Sequence, residues 1–158
     1  MESSKKTLIV FSGDLDRAIA AFIIATGAAA MGDEVTMFFT FWGLNILRKS
    51  SAPRHHKALL QAMFGAMMPR GTARLRLSQM NFLGLGPRLM RRVMRQQNVM
   101  SLEELMASAR EQGVKMIACK MSMDVLGLSE DELIDGLEYV GVASYLAEAD
   151  QAGVNLFV

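Results

Sequence analysis

Cysteine is almost absent from this chain, because Cys119 is the only one among 158 residues. A lone cysteine cannot form a disulfide within the chain, and together with two histidines it shows no ligand spacing typical of structural zinc. A chain of this length buries a sufficient core without a crosslink or a metal. We therefore expect one domain over residues 1–158, in a reducing compartment, with no metal and no cofactor.

Long apolar runs are also lacking. The longest near the amino terminus, residues 18–32, has 15 residues of mostly small side chains, whereas a membrane-spanning helix needs roughly 20. Residues 1–11 show neither the apolar segment nor the small-residue cleavage site of a secretory signal. These absences favour a cytoplasmic protein, and we interpret residues 18–32 as a buried helix.

Acidic residues are absent from residues 35–102, a stretch that contains 11 lysines and arginines. Residues 103–158 have the opposite balance, with 11 acidic and 3 basic residues. The net charge of +1 therefore hides a basic middle and an acidic end. Opposed charges of this kind favour binding to a partner or self-assembly.

The chain does contain a repeated alternation of short apolar segments and helical patterns. The apolar segments are rich in β-favouring residues, as in strands that are buried on both faces. We predict five strands, within residues 5–12, 34–41, 114–119, 137–142 and 154–158. The alternation predicts a three-layer α/β/α domain with a doubly wound, mostly parallel sheet, and it leaves the strand order open.

Two later helix starts carry capping residues. Ser101 and Glu104 have the spacing of a capping box and predict a helix over residues 101–113. The same spacing in "SEDE", which begins at Ser129, predicts a short helix there.

Residues 43–100 do not follow the alternation, and we interpret them as an insertion within the domain. They combine helical apolar spacing with seven arginines between residues 70 and 95, and they hold 7 of the 14 methionines. Such a segment suits nucleic acid, a membrane surface or a protein partner. Phe82 is the one aromatic residue within residues 70–95, which argues against base stacking and hence against nucleic acid. We favour a protein partner over a membrane, because methionine-rich surfaces repack readily around partners.

Cys119 ends the third predicted strand, and reactive groups gather at the carboxyl ends of parallel strands. A thiolate there would be stabilised by the charge of Lys120 and by the backbone amides of Met121 and Ser122. The alternative is that Cys119 is a small buried side chain without reactivity, as many free cysteines are. The residues alone leave both interpretations open.

The loops after the first two strands should lie near Cys119 if the sheet is parallel. The residues that we expect to shape a pocket there are Ser12, Gly13, Asp14, Thr40, Trp42 and Asn45. Asp14, or Asp16, also fits the N-cap of the following helix, and Trp42 fits a core position.

Other reactive groups have simpler explanations. His55 and His56 offer a base for Cys119, but neighbouring side chains usually point apart and the flanking charges indicate a solvated loop. The segment "GDLDRA" after the first strand matches no nucleotide-binding glycine pattern.

The chain resembles the DsrE/DsrF-like family in four segments that occur in order: "FSGDLDRA", "GAAAMGDEVTMFFTFWGLN", "MMPRGTARLRLSQMNFLGLG" and "ACKMSMDVLGL". The resemblance spans nearly the whole chain and is with the longer subgroup that carries a methionine-rich insertion. It implies a flavodoxin-like α/β sandwich, a homo-oligomer built on trimers or hexamers, and a role in sulfur trafficking.

The resemblance also implies a role for Cys119, which matches the cysteine of the subgroup motif "AC-x-MSMD". In the well-understood branches of the family a cysteine carries sulfane sulfur as a persulfide and passes it to the next protein of a relay, so the resemblance implies this role for Cys119, with rhodanese-like or TusA-like proteins as partners. One cysteine per subunit suffices, because the acceptor brings the other thiol. Cys119 has no Pro-x-x-x-Thr-x-x-Cys pattern, so peroxidase chemistry is not expected. The second hypothesis is a non-enzymatic adaptor that docks on a membrane surface or a partner through its basic segment, while Cys119 is merely packed.

Overall fold

The computed structural model describes residues 4–51 and 57–158, and its five parallel strands form one sheet in the order β4-β3-β2-β1-β5. The strands are β1 (Lys5–Val10), β2 (Glu34–Phe39), β3 (Lys115–Cys119), β4 (Glu138–Val140) and β5 (Val154–Phe157). This sheet confirms the predicted α/β class and defines the strand order that the sequence left open. The order differs from the 2-1-3-4-5 order of flavodoxin.

Six α-helices accompany the sheet in the described residues. They are α1 (Leu15–Ala30), α2 (Leu59–Met67), α3 (Leu85–Gln96), α4 (Leu102–Glu111), α5 (Lys120–Leu126) and α6 (Val142–Ala149). Short 3-10 segments connect them at Phe41–Leu47, Thr72–Arg74, Phe82–Gly84 and Glu130–Glu132.

The two faces of the sheet are covered unequally. Helices α1 and α4 pack together on one face, whereas α6 packs on the other. From β1 to β4 the chain advances across the sheet in one direction, and it returns through α6 to reach β5 beside β1. Because crossovers between parallel strands are right-handed, the returning connection lies on the opposite face. A helix of eight residues is therefore the main cover of that face.

Side chains alternate between these faces along each strand. Leu8, Met37 and Phe39 belong to the main core with α1, where Phe22 is fully buried. The intervening residues face α6 and form a second, smaller cluster. That second cluster contains Phe38, Ile117, Cys119 and Tyr145.

The capping predictions have different outcomes. Ser101 and Glu104 form the predicted capping box at the start of α4. Asp14 occupies the N-cap position of α1, but its carboxylate accepts no capping hydrogen bond. Ser129 and Glu132 also form the predicted capping box, but the short helix that it opens is a single 3-10 turn, Glu130–Glu132, with the side chain of Glu132 buried.

Glu132 lies beside Arg48, and both side chains are almost completely buried. The Arg48 guanidinium donates hydrogen bonds of 3.2–3.3 Å to the carbonyl oxygens of Gly65, Met68 and Pro69. Its Nη2 atom lies 3.7 Å from Glu132 Oε2, which is an ion pair without a hydrogen bond. These contacts join the start of the insertion, at Arg48, to its later residues 65–69 and to the loop before β4.

Lys57 also pairs with Glu132, through Oε1. Burial raises the pKa of Glu132, but hydrogen bonds from Lys57 and Ser129 and the charge of Lys57 outweigh it, so that the pKa is lowered. For Arg48, burial and the charge of Arg70 lower the pKa, and Glu132 opposes them. The carboxylate of Glu132 is thus held in its charged form.

Replacing Glu132 by glutamine should lower the free energy of unfolding by about 3 kcal/mol, because Arg48 would keep a buried charge without a counter-charge. Urea unfolding at neutral pH measures the loss. The matched control is Asp135→Asn, which breaks the neighbouring ion pair of Lys49 with a side chain that is 93% exposed. This control should change stability by less than about 0.5 kcal/mol.

The same pair predicts a pH dependence. Because folding lowers the pKa of Glu132, its contribution is complete above the ordinary glutamate pKa of about 4.3 and is lost as the pH falls through the lower folded value. The stability difference between wild type and Glu132→Gln should therefore shrink in acid. A difference that stays constant down to acid unfolding would contradict this assignment.

Candidate functional site

The candidate site lies at the carboxyl edge of the sheet, where the loops after β1 and β2 meet. The backbone amide of Thr40 donates to the carbonyl oxygen of Val10 at 3.1 Å, and that of Gly43 donates to Phe11 at 2.8 Å. The parallel pairing of β1 with β2 thus continues into the loops, which brings the two loops together.

Two glycines allow the loops after β1 and β2 to lie this close together. A Cβ atom on Gly43 would lie 2.0 Å from the carbonyl oxygen of Val10, and one on Gly13 would lie 2.5 Å from that of Trp42. Both neighbouring atoms belong to the backbone, so neither can rotate away. Gly13 therefore allows the two loops to pack closely against each other.

Hydroxyl groups connect the second loop to α5. Thr40 Oγ1 and Ser122 Oγ lie 2.8 Å apart, and Ser122 is fully buried. One hydroxyl donates to the other, and the accepting hydroxyl keeps its own hydrogen for a further acceptor. Thr40 and Ser122, predicted from separate segments, are brought together.

Ser12 and Asp14 form a local pair instead. Ser12 Oγ donates to Asp14 Oδ2 at 2.9 Å and accepts from the Asp14 amide at 3.1 Å. Asp14 also lies 3.9 Å from Arg17 Nε. The Asp14 carboxylate orients Ser12 and remains half-buried at the edge of the site.

Cys119 occupies the predicted position, but its surroundings differ from those expected. It ends β3 and is the N-cap residue of α5, so the helix amides follow it as anticipated. However, its side chain is only 2% exposed and makes no capping hydrogen bond. The thiol belongs to the small cluster beneath α6, while Lys120 is exposed.

Tyr145 of α6 is buried in the same small cluster as Cys119. Its ring stacks on that of Phe38 with the centroids 4.7 Å apart. Its hydroxyl lies 3.0 Å from Thr7 Oγ1 in β1, so that the polar end of the buried ring is paired. Tyr145 thereby fixes α6 over the centre of the sheet and over Cys119.

Glu148 fastens the other end of α6. Its carboxylate accepts from Thr36 Oγ1 at 2.8 Å and contacts Lys5 Nζ at 3.3 Å and Lys115 Nζ at 2.5 Å. Burial raises the pKa of Glu148, but the hydrogen bonds from Lys115, Thr36 and Lys5 prevail and lower it. The hydrogen bond to Glu148 correspondingly raises the pKa of Lys115. Three strands thus hold one carboxylate of α6 in its charged form.

The sequence analysis did not identify three residues of this region. Phe38 and Tyr145 share a cluster with Cys119, and Glu148 attaches α6 to the strands. Alternation along β2 and β3 could have shown that Phe38 and Cys119 share a face of the sheet. Nothing in the sequence indicated which helix would cover that face, because the cover comes from a segment more than 20 residues after Cys119.

Aromatic side chains are exposed next to the site. Phe11 contacts Phe41 and Phe157, with ring centroids 5.7 and 5.8 Å apart, and Phe157 and Trp42 are exposed. Trp42 is therefore not a core residue. Asn45, by contrast, is buried and its Oδ1 atom has no partner within the described residues.

His55 and His56 lie outside the described residues. Among residues 4–51 and 57–158, no group of three or more metal-ligating side chains could hold an ion. None of the helices in those ranges combines the length and the apolar character that crossing a bilayer requires.

Comparisons of sequence place these features in a known family. The model of the DsrE/DsrF/DrsH-like family matches residues 2–157. The uncharacterized protein YrkE of Bacillus subtilis is 52% identical over 157 residues, which are 99% of this chain and 98% of YrkE. The sulfur carrier protein DsrE2 of Allochromatium vinosum is 37% identical over 162 residues and is matched over 100% of both chains.

Comparisons of structure agree on the fold. The protein of unknown function MTH1491 from Methanobacterium thermoautotrophicum superposes with a TM-score of 0.58 at 12% identity. The ychN protein from E. coli superposes with a TM-score of 0.55 at 13% identity. Each comparison covers 98% of this chain and 99% of the other. At these identities the likeness shows the fold alone.

The close approach of the loops predicts opposite effects for two glycine substitutions. Gly43→Ala should lower the free energy of unfolding by about 3 kcal/mol, because the new methyl group collides with the Val10 carbonyl. Gly27→Ala should raise it by about 0.5–1 kcal/mol, since Gly27 lies in α1 with open space around it. Urea unfolding of both variants measures the difference, and equal stabilities would refute the loop geometry.

Proposed function

This chain belongs to the DsrE/DsrF/DrsH-like family, and we propose that it is a sulfur carrier that holds sulfane sulfur as a persulfide on Cys119. One observation carries the proposal: the only cysteine ends β3 at the carboxyl edge of the sheet, where the site loops meet. The full-length similarity to a protein named as a sulfur carrier supports it.

In the proposed reaction, the Cys119 thiolate attacks the outer sulfur of a donor persulfide. A new S–S bond forms at Cys119 while the donor S–S bond breaks, and the electron pair leaves with the donor thiolate. Delivery reverses the roles, because an acceptor thiolate takes the outer sulfur and Cys119 leaves as the thiolate. The exchange needs no external oxidant and suits a partner of the rhodanese-like or TusA-like kind.

Because Cys119 is buried, a sulfur donor can reach its thiol only after the protein opens locally. The residue pairs with Val140 of β4, an edge strand of three residues, and the chain then enters α6 through Gly141. Val142 in the first turn of α6 is 55% exposed, and that turn has no side-chain cap. We infer that the opening begins at this end of α6 and is complete when the contacts of Tyr145 and Glu148 with the strands are released.

The remaining residues of the site act on the exposed sulfur in this scheme. Lys120 supplies positive charge, and the amides of Met121 and Ser122 supply donors at the start of α5. The free hydrogen of the Thr40–Ser122 pair is a further donor for an anion. These groups favour the anionic sulfur once α6 has moved.

The central test is mass spectrometry after incubation with glutathione persulfide. Wild-type protein should gain one sulfur, about 32 Da, that maps to Cys119 and is removed by dithiothreitol. Cys119→Ser is the matched control and should gain none. Wild-type protein that gains no sulfur from glutathione persulfide or thiosulfate would overturn the proposal.

A second test measures access to Cys119 by its alkylation rate with iodoacetamide at constant pH. Glu148→Gln should react about fivefold faster than wild type, because it loses roughly 1 kcal/mol of partly exposed charged hydrogen bonds that hold α6. Asp150→Asn, which changes an exposed carboxylate just beyond α6, should leave the rate unchanged.

Urea unfolding in parallel separates opening of α6 from global unfolding. Local opening makes Cys119 react faster than the global unfolding equilibrium allows. Alkylation that only follows global unfolding in every variant would contradict the proposed access step.

The same burial favours a second candidate function, a non-enzymatic adaptor in which Cys119 is a packing residue. A free cysteine in an apolar cluster is common without any reactivity. Two outcomes distinguish the functions. An adaptor accepts no sulfur at Cys119, and its Cys119→Ser variant still binds its partners.

A further inference from the structure

Helix α3 of the insertion is attached to the protein by one side only. Gly86 and Pro87 in its first turn are buried, and Arg91 Nη2 donates to the carbonyl oxygen of Thr72 at 2.8 Å. The opposite half of the helix is exposed along its length.

An apolar stripe runs along this exposed half. Leu85, Leu89 and Val93 follow one another at intervals of four residues, and each is between 51% and 54% exposed. The stripe continues into the turn before the helix, where Phe82 and Leu83 project into solvent. Leu83 has the highest exposure among the large apolar side chains of the described residues.

The backbone conformation of the turn directs the side chains of Phe82 and Leu83 outward. Phe82 and Leu83 adopt positive φ angles of 41° and 54°, a conformation that persists only where the surroundings enforce it. Asn81 accepts from the Leu77 amide through its side chain, and its carbonyl oxygen accepts from Gly86 at 3.1 Å. A Cβ atom on Gly86 would lie 2.0 Å from the Met80 carbonyl oxygen, so the turn is also tightly closed.

A cationic stripe lies directly beside the apolar one. Arg88, Arg92 and Arg95 are exposed, and within the described residues none of them forms an ion pair with a carboxylate. No acidic residue occurs anywhere between residues 35 and 102. The exposed half of α3 therefore offers hydrocarbon and positive charge without any negative charge.

We propose that α3 and the turn Phe82–Gly84 bind the surface of an anionic lipid bilayer. The apolar stripe enters the boundary between headgroups and acyl chains, and the arginines contact lipid phosphates. A protein partner would present mixed charges around an apolar centre, whereas the exposed charges of α3 itself are all positive and its apolar side chains project outward. Glu103 and Glu104 line a cavity together with Arg91 and Arg95 at the end of α3, but Arg88 and Arg92 do not line it. The complementarity of charge therefore favours lipid over the protein partner that the sequence alone suggested.

Vesicle flotation tests the proposal with the full-length protein. Wild type should float with phosphatidylcholine vesicles that contain phosphatidylglycerol, much less with phosphatidylcholine alone, and less as salt is added. Leu89→Ser should weaken partitioning about fivefold through lost apolar contact. Arg92→Gln should also weaken it about fivefold.

Two matched variants on α1 serve as controls. Ile23→Ser removes an apolar side chain as exposed as Leu89, and Arg17→Gln removes an exposed charge; both should float like wild type. Cys119→Ser should also float unchanged, since this binding is independent of sulfur transfer. Circular dichroism confirms that all variants are folded.

Three outcomes would overturn the proposal. Wild type that does not float with anionic vesicles would exclude lipid binding and leave a protein partner for α3. Equal binding to vesicles with and without phosphatidylglycerol would remove the role of the arginines. A change of oligomer mass in Leu89→Ser without a change in flotation would identify α3 as a contact between subunits.

Discussion

The buried pair of Arg48 and Glu132 joins parts of the chain that are far apart in sequence. Two charges removed from water are costly unless their hydrogen-bonding capacity is used, and the carbonyl oxygens of the insertion accept from Arg48. The insertion is therefore held against the sheet, and its Leu75 and Leu77 belong to the same core as the strands. Gln61 of α2 in turn donates to the Asp124 carbonyl in α5, next to the segment that follows Cys119.

The coverage of the sheet explains the state of Cys119. One face carries α1 and α4, whereas the other depends mainly on the short helix α6. Tyr145 and Glu148 attach that helix to the strands through a hydroxyl and a carboxylate, which are few contacts compared with a full helical layer. The arrangement buries the thiol beneath a short helix whose first turn lacks a side-chain cap. Both properties are compatible with the proposed persulfide, which would be protected between transfers and reached during them.

The acidic and basic residues differ in how far they are paired within the molecule. Several acidic residues of the last third are used within the molecule, as in the contacts of Glu148 with Lys115 and of Glu132 with Lys57. The arginines of α3 have no such partners among the described residues. The basic middle of the sequence is thus only partly neutralised by ion pairs, and four of the seven arginines between residues 70 and 95 lie on α3.

The sequence by itself determined the five strands, the parallel α/β class and the position of Cys119 at a strand end, because these follow from local apolar patterns and topology rules. Only the tertiary structure decided that Cys119 is buried under α6 and that Thr40 meets Ser122. The strand order and the inward turn of Glu132 were likewise decided by long-range contacts. The physical reason is that burial and pairing depend on which distant segment packs against a given face of the sheet. A local sequence pattern does not specify that segment.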